Sequence, residues 1–439
     1  MNIIVGLSII ILIVIILSVL KRKRKVYTEK EIYEKKIRPE LFYVNTEAAI
    51  PGACRILIDR DEIFPEIFAL LEKAEKYIYF NMFLFGGEIA DNTLELLSRI
   101  QQKGVKVIMI LQDQKESINI AFPLPDIENE KKKEIEDYEG REQKANDMGF
   151  DVSYPSTEIF YDNSIFNIDH GKLIVIDGIY AVTGGMNFAS TSEKNHDSSV
   201  IFTGEIVKEC EKIFLNKWLC SYKYDEKGKK IFNDPENMME LSENSTGVYK
   251  GFSPCEITPV ITAPYVSNTL DALIYNIEKA EHRIYISQFM VTEKKIIRAL
   301  IEKARQGLDV KVLLDPGDYI YPDLDLKGGP NNLVIALFQK MKKKHDGFTG
   351  EARRFTVEPG QQLHMKLIII DDDICFMGST NLISAAIFRN YEEYFLIRGQ
   401  EVNRRYTEIF LKDWSERSEQ VRSLELSQKA MALFGDLFV

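Results

Sequence analysis

The chain of 439 residues is 45% hydrophobic, which excludes a disordered protein and suggests two domains with enough apolar surface for a core. Its formal net charge of −11 disfavours a non-specific nucleic-acid binder, because such proteins present a basic surface. The five scattered cysteines lack a C-x-x-C pair, so they indicate neither a disulfide framework nor a zinc cage, and they fit a reducing compartment.

The N-terminal residues form an uncharged apolar run, Ile3–Leu20, directly followed by the basic cluster Lys21–Lys25. As a helix the run reaches roughly 27 Å, enough to span a hydrocarbon core of about 30 Å. A cleaved signal peptide would instead carry its positive charge before the run and a small-residue cleavage site after it. We therefore predict one transmembrane anchor at residues 1–20 and a basic juxtamembrane segment and stalk at 21–45. The positive-inside rule places the remaining chain on the cytoplasmic side of the cell membrane.

Beyond the stalk, two similar halves follow each other. The stretch AEKYIYFNMFLF (Ala74–Phe85) is matched by AEHRIYISQFMV (Ala280–Val291), and each precedes an amphipathic helix pattern and an apolar run, Val105–Leu111 or Val310–Asp315. A nearly constant offset over several elements indicates an internal duplication. Because strands alternate with helical stretches, we predict an α/β fold in each half.

Two segments interrupt the repeat. Residues 123–148 are highly charged and are predicted to form a solvated helix in an insertion. Residues 223–255 are polar, contain glycine and proline, and are interpreted as a linker between the halves. The predicted boundaries are therefore a first domain at 46–222, the linker, a second domain at 256–415, and a C-terminal helix or tail at 416–439.

One motif, H-x-K-x₄-D-x₆-G-[GS]-x-N, occurs twice, beginning at His170 and at His364. With residue frequencies near 5%, its four further residues arise at these spacings by chance roughly once in 10⁵ per histidine. Two copies in register with the duplication therefore indicate a functional site. The members of the two copies are His170, Lys172, Asp177, Gly184, Gly185 and Asn187, and His364, Lys366, Asp371, Gly378, Ser379 and Asn381.

The spacing of the motif indicates which side chains act together. In a strand, histidine and lysine two residues apart share a face, whereas the aspartate, an odd number of residues further on, faces the other way. We count Asp177 and Asp371 with the catalytic motif, but expect them to support it through turn or backbone contacts. The acidic run Asp371–Asp373 is interpreted as a solvated turn, not as a cation site.

The residue types favour phosphodiester chemistry without a metal or other cofactor. Lysine and asparagine donate hydrogen bonds to a phosphate without adding negative charge. Histidine titrates near neutral pH, so one copy can attack phosphorus while the other protonates the leaving oxygen.

The duplicated motif resembles the signature of the phospholipase D superfamily, over essentially the whole chain after about residue 45. Within that superfamily, the stretches HDSSVIFTG and RNYEEYFLI that follow the two motifs make the chain most similar to bacterial cardiolipin synthases. This resemblance implies two tandem α/β domains related by pseudo-twofold symmetry, with both histidines in one site. By analogy, His170 is the nucleophile that forms a phosphohistidine and His364 the acid, although the pseudosymmetry leaves this order open. The resemblance further implies orienting roles for Asp197 and Glu392, and phosphate binding by Lys172, Lys366, Asn187 and Asn381.

Besides the insertion at 123–148, three features depart from the usual pattern of that family. Gly171 stands where relatives usually carry a basic residue, Ala385 and Ala386 stand where an Arg-Ser pair is common, and one apolar span replaces two. These differences do not affect the reacting groups, so the expected phosphodiester chemistry is unchanged. They leave open which acceptor and which lipid the protein uses.

The expected function is a membrane-anchored phosphatidyltransferase that moves a phosphatidyl group between phosphatidylglycerol molecules, or those of another anionic phospholipid, and releases glycerol. Hydrolysis of phospholipids, with water as the acceptor, is a close alternative. A nuclease uses the same chemistry, but nucleic acid is not an expected partner of so acidic a chain. A non-catalytic scaffold would not need both complete motifs. The oligomeric state is left open.

Overall fold

The structure, a computed structural model, describes residues 42–113, 125–155, 168–234, 241–242, 250–263, 266–317, 329–425 and 428–429. The predicted anchor at 1–20 and most of the predicted segment at 21–45 lie outside these residues. Within the described ranges, no helix is both long enough and apolar enough to cross a membrane.

The first domain alternates strands and helices. Its described strands are β1 (Ile50–Ile58), β2 (Tyr77–Met82), β3 (Phe85–Gly86), β4 (Lys106–Leu111), β5 (Asp151–Pro155), β6 (Leu173–Ile176), β7 (Tyr180–Gly184), β8 (Phe188–Ala189), β9 (Ser198–Thr203), β10 (Ser221–Tyr224) and β11 (Lys230–Phe232). Its described helices are α1 (Asp59–Leu71), α2 (Gly87–Gln101), α3 (Pro125–Asp147) and α4 (Ile206–Leu219).

The second domain repeats this alternation. Its described strands are β12 (Ser253–Thr262), β13 (Arg283–Gln288), β14 (Asp309–Leu314), β15 (Glu351–Phe355), β16 (Lys366–Ile370), β17 (Ile374–Gly378), β18 (Glu392–Arg398) and β19 (Ser418–Gln420). Its described α-helices are α5 (Thr269–Lys279), α6 (Lys294–Arg305), α7 (Asn332–Lys344), α8 (Ser384–Phe388) and α9 (Gln400–Glu416).

Strand order shows the duplication directly. The first domain pairs its strands in the order β1-β9-β7-β6-β2-β4-β5-β10-β11. The second pairs them in the matching order β12-β18-β17-β16-β13-β14-β15-β19. In each domain the three strands β2-β4-β5 or β13-β14-β15 are parallel. Strands β1 and β12 pair antiparallel and join the two sheets, so the predicted pair of tandem α/β domains is confirmed.

The apolar runs of the sequence become strands buried on both faces. Every residue of β6, with the sequence LIVI, is buried, as expected when helices cover both sides of a sheet. One continuous apolar cluster crosses from one domain into the other. Within it, the rings of Phe202 on β9 and Phe395 on β18 meet edge to face with centroids 5.0 Å apart. The domains are therefore held together by core packing as well as by backbone pairing.

Two segments interrupt the repeat, whereas the tail begins with a strand that belongs to it, since β19 pairs with β15 as β10 pairs with β5. The helix predicted at 123–148 is present as α3, but it is docked: Tyr138 is buried, and Asp91 of α2 forms ion pairs with Arg141 and Lys144. The segment interpreted as a linker, 223–255, contains the end of β10, all of β11 and the start of β12. In the tail, β19 pairs with β15 and extends the second sheet.

Candidate active site

Both histidine motifs lie where the two domains meet. His170 comes just before β6 and donates its backbone N–H to the carbonyl of Tyr391, in the other domain, over 3.0 Å. His364 comes just before β16 and donates its backbone N–H to the carbonyl of His196, in the other domain, over 2.8 Å. These interdomain bridges bring two histidines that are 194 positions apart in the sequence to one boundary.

Each imidazole is oriented by a carboxylate from the opposite domain. Nδ1 of His170 lies 3.0 Å from Oε2 of Glu392, and Nδ1 of His364 lies 2.7 Å from Oδ2 of Asp197. Both histidines are only 7% exposed. A carboxylate at Nδ1 holds the proton on that nitrogen, which leaves Nε2 available to attack or to exchange a proton.

Burial controls the charge of these groups. It lowers the pKa of His170, although the neighbouring Glu392 acts in the opposite direction. It also holds the pKa of His364 well below its usual value, and the positive charge of Lys366 adds to this effect. Burial raises the pKa of Asp197 to about 7. At neutral pH, both imidazoles are therefore neutral, as a nitrogen nucleophile must be.

The motif lysines are buried beside the two histidines. Lys172 donates from Nζ to the main-chain carbonyl of His170 over 2.7 Å, and Lys366 donates likewise to His364 over 2.5 Å. Burial lowers the pKa of Lys172 to about 8 and that of Lys366 to about 7. The charged form of a lysine desolvated in this way is stabilised when an anion binds beside it.

Two buried amide oxygens of the motifs lack a partner among the described residues. Among the described residues, the Oδ1 atoms of Asn187 and Asn381 accept no hydrogen bond. An unpaired buried polar atom is costly, so these oxygens are suited to receive a hydrogen bond from a hydroxyl group of a ligand.

The motif aspartates lie at the other end of their strands, where they contact the backbone, as expected from the sequence. Asp177 is seven residues beyond His170, roughly 20 Å along an extended strand. Its carboxylate accepts the backbone N–H groups of residues 75–77 at 2.7–2.8 Å, and Asp371 does the same for residues 281–283 at 2.8–3.0 Å. Both have positive φ, 54° and 48°. They fix the turn that enters β2 or β13.

Two residues support Glu392. Ser379 donates its hydroxyl to Oε2 over 2.6 Å, and Asn390 donates its amide to Oε1 over 3.3 Å. The first motif has Gly185 at the position of Ser379, and a Cβ there would overlap the carboxylate of Asp197. The residue at the [GS] position of each motif therefore suits the neighbouring carboxylate: serine donates a hydrogen bond to Glu392, and glycine leaves room for Asp197. The role of Asn390 was missed, since only its place two residues before Glu392 signals it.

Gly171 borders a buried ion cluster. Lys217 of α4 donates from Nζ to Asp169 over 2.8 Å and also to Glu393 of the other domain. Asp169 and Glu393 in turn accept the backbone N–H groups of Gly171 and Lys172. A side chain at position 171 would overlap both Glu393 and the amine of Lys217. A basic side chain therefore has no room at this position, and Lys217 supplies a positive charge from α4.

The family described as "Cardiolipin synthase, PLD-like domain" matches the chain twice, at residues 67–218 and 273–414. The cardiolipin synthase of Clostridium perfringens (strain 13 / Type A) is 25% identical over 372 residues, which cover 82% of this chain and 69% of that protein. The probable cardiolipin synthase YwiE of Bacillus subtilis (strain 168) is 22% identical over 426 residues, covering 92% and 73%.

A solved structure shares the fold. The crystal structure of phosphatidylserine synthase from Haemophilus influenzae Rd KW20 superposes with a TM-score of 0.64 and 13% sequence identity. The superposition covers 89% of this chain and 95% of that one. The whole two-domain arrangement, and not just one half of it, is therefore present in a known protein.

Proposed function

Because the chain belongs to the cardiolipin synthase family of phospholipase D-like proteins, we propose that it is a membrane-anchored phosphatidyltransferase that makes cardiolipin from phosphatidylglycerol. Enzymes of this family act on phosphodiesters. The observation that carries the proposal is the pair of buried histidines, each held at Nδ1 by a carboxylate of the opposite domain. In the proposed reaction, the two Nε2 atoms act on one phosphate between the domains.

In the first step, Nε2 of His170 attacks the phosphorus of one phosphatidylglycerol molecule. A P–N bond forms, the P–O bond to glycerol breaks, and the imidazolium of His364 gives its proton to the departing glycerol oxygen. The negative charge of the bound phosphate favours that imidazolium and offsets the lowering of its pKa by burial.

In the second step, the roles of proton donor and acceptor reverse. The now neutral His364 takes the proton from a hydroxyl group of a second phosphatidylglycerol molecule. The hydroxyl oxygen attacks phosphorus, the P–N bond to His170 breaks, and cardiolipin leaves. Water in place of the lipid hydroxyl would give phosphatidic acid instead.

The phosphate is held by the four motif side chains. We propose that Lys172 and Lys366 neutralise the negative charge of the phosphate. Their amines are buried and desolvated, and they therefore bind an anion strongly. Asn187 and Asn381 lie after the glycine turns of the motifs, where their amides can reach the phosphate oxygens.

The sequence supports attachment to the membrane. The apolar run at 1–20 and the basic cluster after it would place the two catalytic domains on the cytoplasmic side, beside lipid substrates in the bilayer. The basic cluster would also concentrate anionic lipids near the site.

A direct experiment separates the reaction types. Purified full-length protein in detergent is given phosphatidylglycerol or, separately, single-stranded DNA, beside His170→Ala and His364→Ala variants. We expect cardiolipin and glycerol in equal amounts from the unmodified chain and neither from the variants. Phosphatidic acid as the main product would make the enzyme a hydrolase, and cleaved DNA with intact lipid would overturn the proposal.

A further inference from the structure

His196 is a buried histidine that the proposed reaction does not use. Its Nδ1 lies 2.9 Å from Oδ1 of Asp59, at the start of α1, and its Nε2 lies 2.8 Å from Oδ2 of Asp413, on α9 of the other domain. The ring stacks on that of Phe355 with centroids 5.1 Å apart and an angle of 2°. Both ring nitrogens are thus occupied inside the interface between the domains.

These contacts define the charge of His196. Each carboxylate accepts a hydrogen bond, and only an imidazolium has an N–H on both ring nitrogens. Although burial by itself lowers the pKa, the hydrogen bonds and charges of Asp413 and Asp59 raise it to about 9. Arg417 lies over the far ring, Phe355, at 4.5 Å. Other charged side chains line the groove that Asp413 borders, namely Glu62, Glu401, Arg404, Arg405, Glu408 and Lys412.

The cluster is connected to His364 by two routes. The main-chain carbonyl of His196 accepts the backbone N–H of His364 over 2.8 Å. The next residue, Asp197, carries the carboxylate that orients the imidazole of His364, and its own backbone N–H is held by Oδ1 of Asp59 at 3.0 Å. Any shift of His196 therefore moves both the backbone and the carboxylate on which His364 depends.

We propose that the imidazolium of His196, clamped between Asp59 and Asp413, is a positioning residue that holds Asp197 and His364 in line for proton transfer. This inference rests on the proposed function, in which His364 gives and takes protons.

Beside His170, the counterpart of the His196 cluster is an ion cluster built on a different residue type. In the repeated stretches LNKW and LKDW, Lys217 occupies the place that Asp413 takes in the second domain. Lys217 holds Asp169 and Glu393 beside His170, as the His196 cluster holds the segment beside His364. One histidine is thus supported by an ion cluster built on lysine and the other by a cluster built on histidine.

The test uses Asp413→Asn in the full-length protein, with ¹³C-labelled histidines observed by NMR in detergent. In the unmodified chain we expect one imidazolium signal to persist at pH 8, and His196→Gln identifies it by its loss. In Asp413→Asn, we expect the His364 signal to shift while that of His170 stays in place. The value of kcat should fall about tenfold or more with little change in KM, because the alignment is lost and not the binding.

Two further variants separate positioning from stability. Phe202→Leu weakens the packing against Phe395 between the same two domains without touching either cluster. It should lower the melting temperature and leave kcat and the His364 signal unchanged. Asp413→Glu, which keeps the carboxylate, should recover part of the kcat lost in Asp413→Asn.

Either of two results would overturn the positioning role. The first is an unmoved His364 signal in Asp413→Asn, whether or not the melting temperature falls. The second is a kcat equal to that of the unmodified chain. If the unmodified chain makes no cardiolipin, the proposed function fails, and the NMR comparison still decides whether His196 positions His364.

Discussion

Replacement of Asp177 distinguishes a structural residue from a reacting one. Asp177→Ala removes the acceptor of three backbone N–H groups, those of residues 75, 76 and 77. Hydrogen bonds to a charged acceptor contribute about 1.5–3 kcal/mol each, but two of these three are solvent-exposed, so water replaces them at little cost. Adding about 1 kcal/mol for a non-glycine residue at a φ of 54° gives a loss of about 3 kcal/mol.

Asp177→Asn is the matched control. Asparagine tolerates positive φ, and its single carbonyl oxygen can replace Oδ1, which accepts two of the three bonds. We therefore expect a loss of about 1 kcal/mol, since one exposed bond and the charge disappear. Thermal unfolding of the full chain measures both variants, and about 3 kcal/mol corresponds to a fall of roughly 6–12 °C for a domain of this size.

The kcat of the two Asp177 variants decides whether this residue is structural or takes part in the reaction. Below its unfolding transition, each variant should keep the kcat of the unmodified chain per folded molecule, because the carboxylate contacts the turn before β2 and not the histidines. A folded Asp177→Asn protein whose kcat has fallen a hundredfold would refute this reasoning and return the aspartate to the reaction.

Three further predictions concern the groups around the histidines. Gly171→Ala should cost about 1–3 kcal/mol in thermal unfolding, because the added methyl group displaces the ion cluster of Lys217, whereas Gly347→Ala, which has open space around it and no positive φ, should show no such loss. Ser379→Ala should lower kcat about tenfold with little change in KM, since the orienting carboxylate loses its 2.6 Å bond; unchanged steady-state kinetics would contradict this. The pKa of His196 is raised above its ordinary value of 6.5, so its stabilisation is fully present below that pH and is lost as the pH rises through about 9. Denaturant unfolding from pH 6 to 10 should show that loss in the unmodified chain and a flatter profile in Asp413→Asn.

The sequence predicts those parts of the site that follow from spacing along one strand. His170 and Lys172 share a face because side chains alternate, and Asp177 faces elsewhere for the same reason. The same repeat of apolar runs predicts the two α/β domains. Local geometry is enough for these features, because each depends on residues a few positions apart.

The interdomain contacts could not be predicted in this way. Lys217 lies in a helix whose pattern does not reveal that its amine enters a buried cluster beside Gly171. His196 is next to an expected site residue, but its partner Asp413 is 217 positions away. Likewise, the high charge of α3 indicates a solvated helix, while a few buried side chains dock it on α2. Such contacts depend on how the two domains meet, which spacing alone does not specify.

The central claim is that two histidines from different domains form one site and pass the phosphatidyl group through a covalent intermediate on His170. The most direct measurement is a single-turnover reaction of the full-length protein with phosphatidylglycerol labelled with ³²P, quenched in base, where phosphohistidine survives, and followed by peptide mapping. We predict a labelled peptide containing His170 that forms and decays as cardiolipin appears, and no label in His170→Ala. Cardiolipin formed at the normal rate without any labelled peptide, or by His170→Ala, would contradict the account.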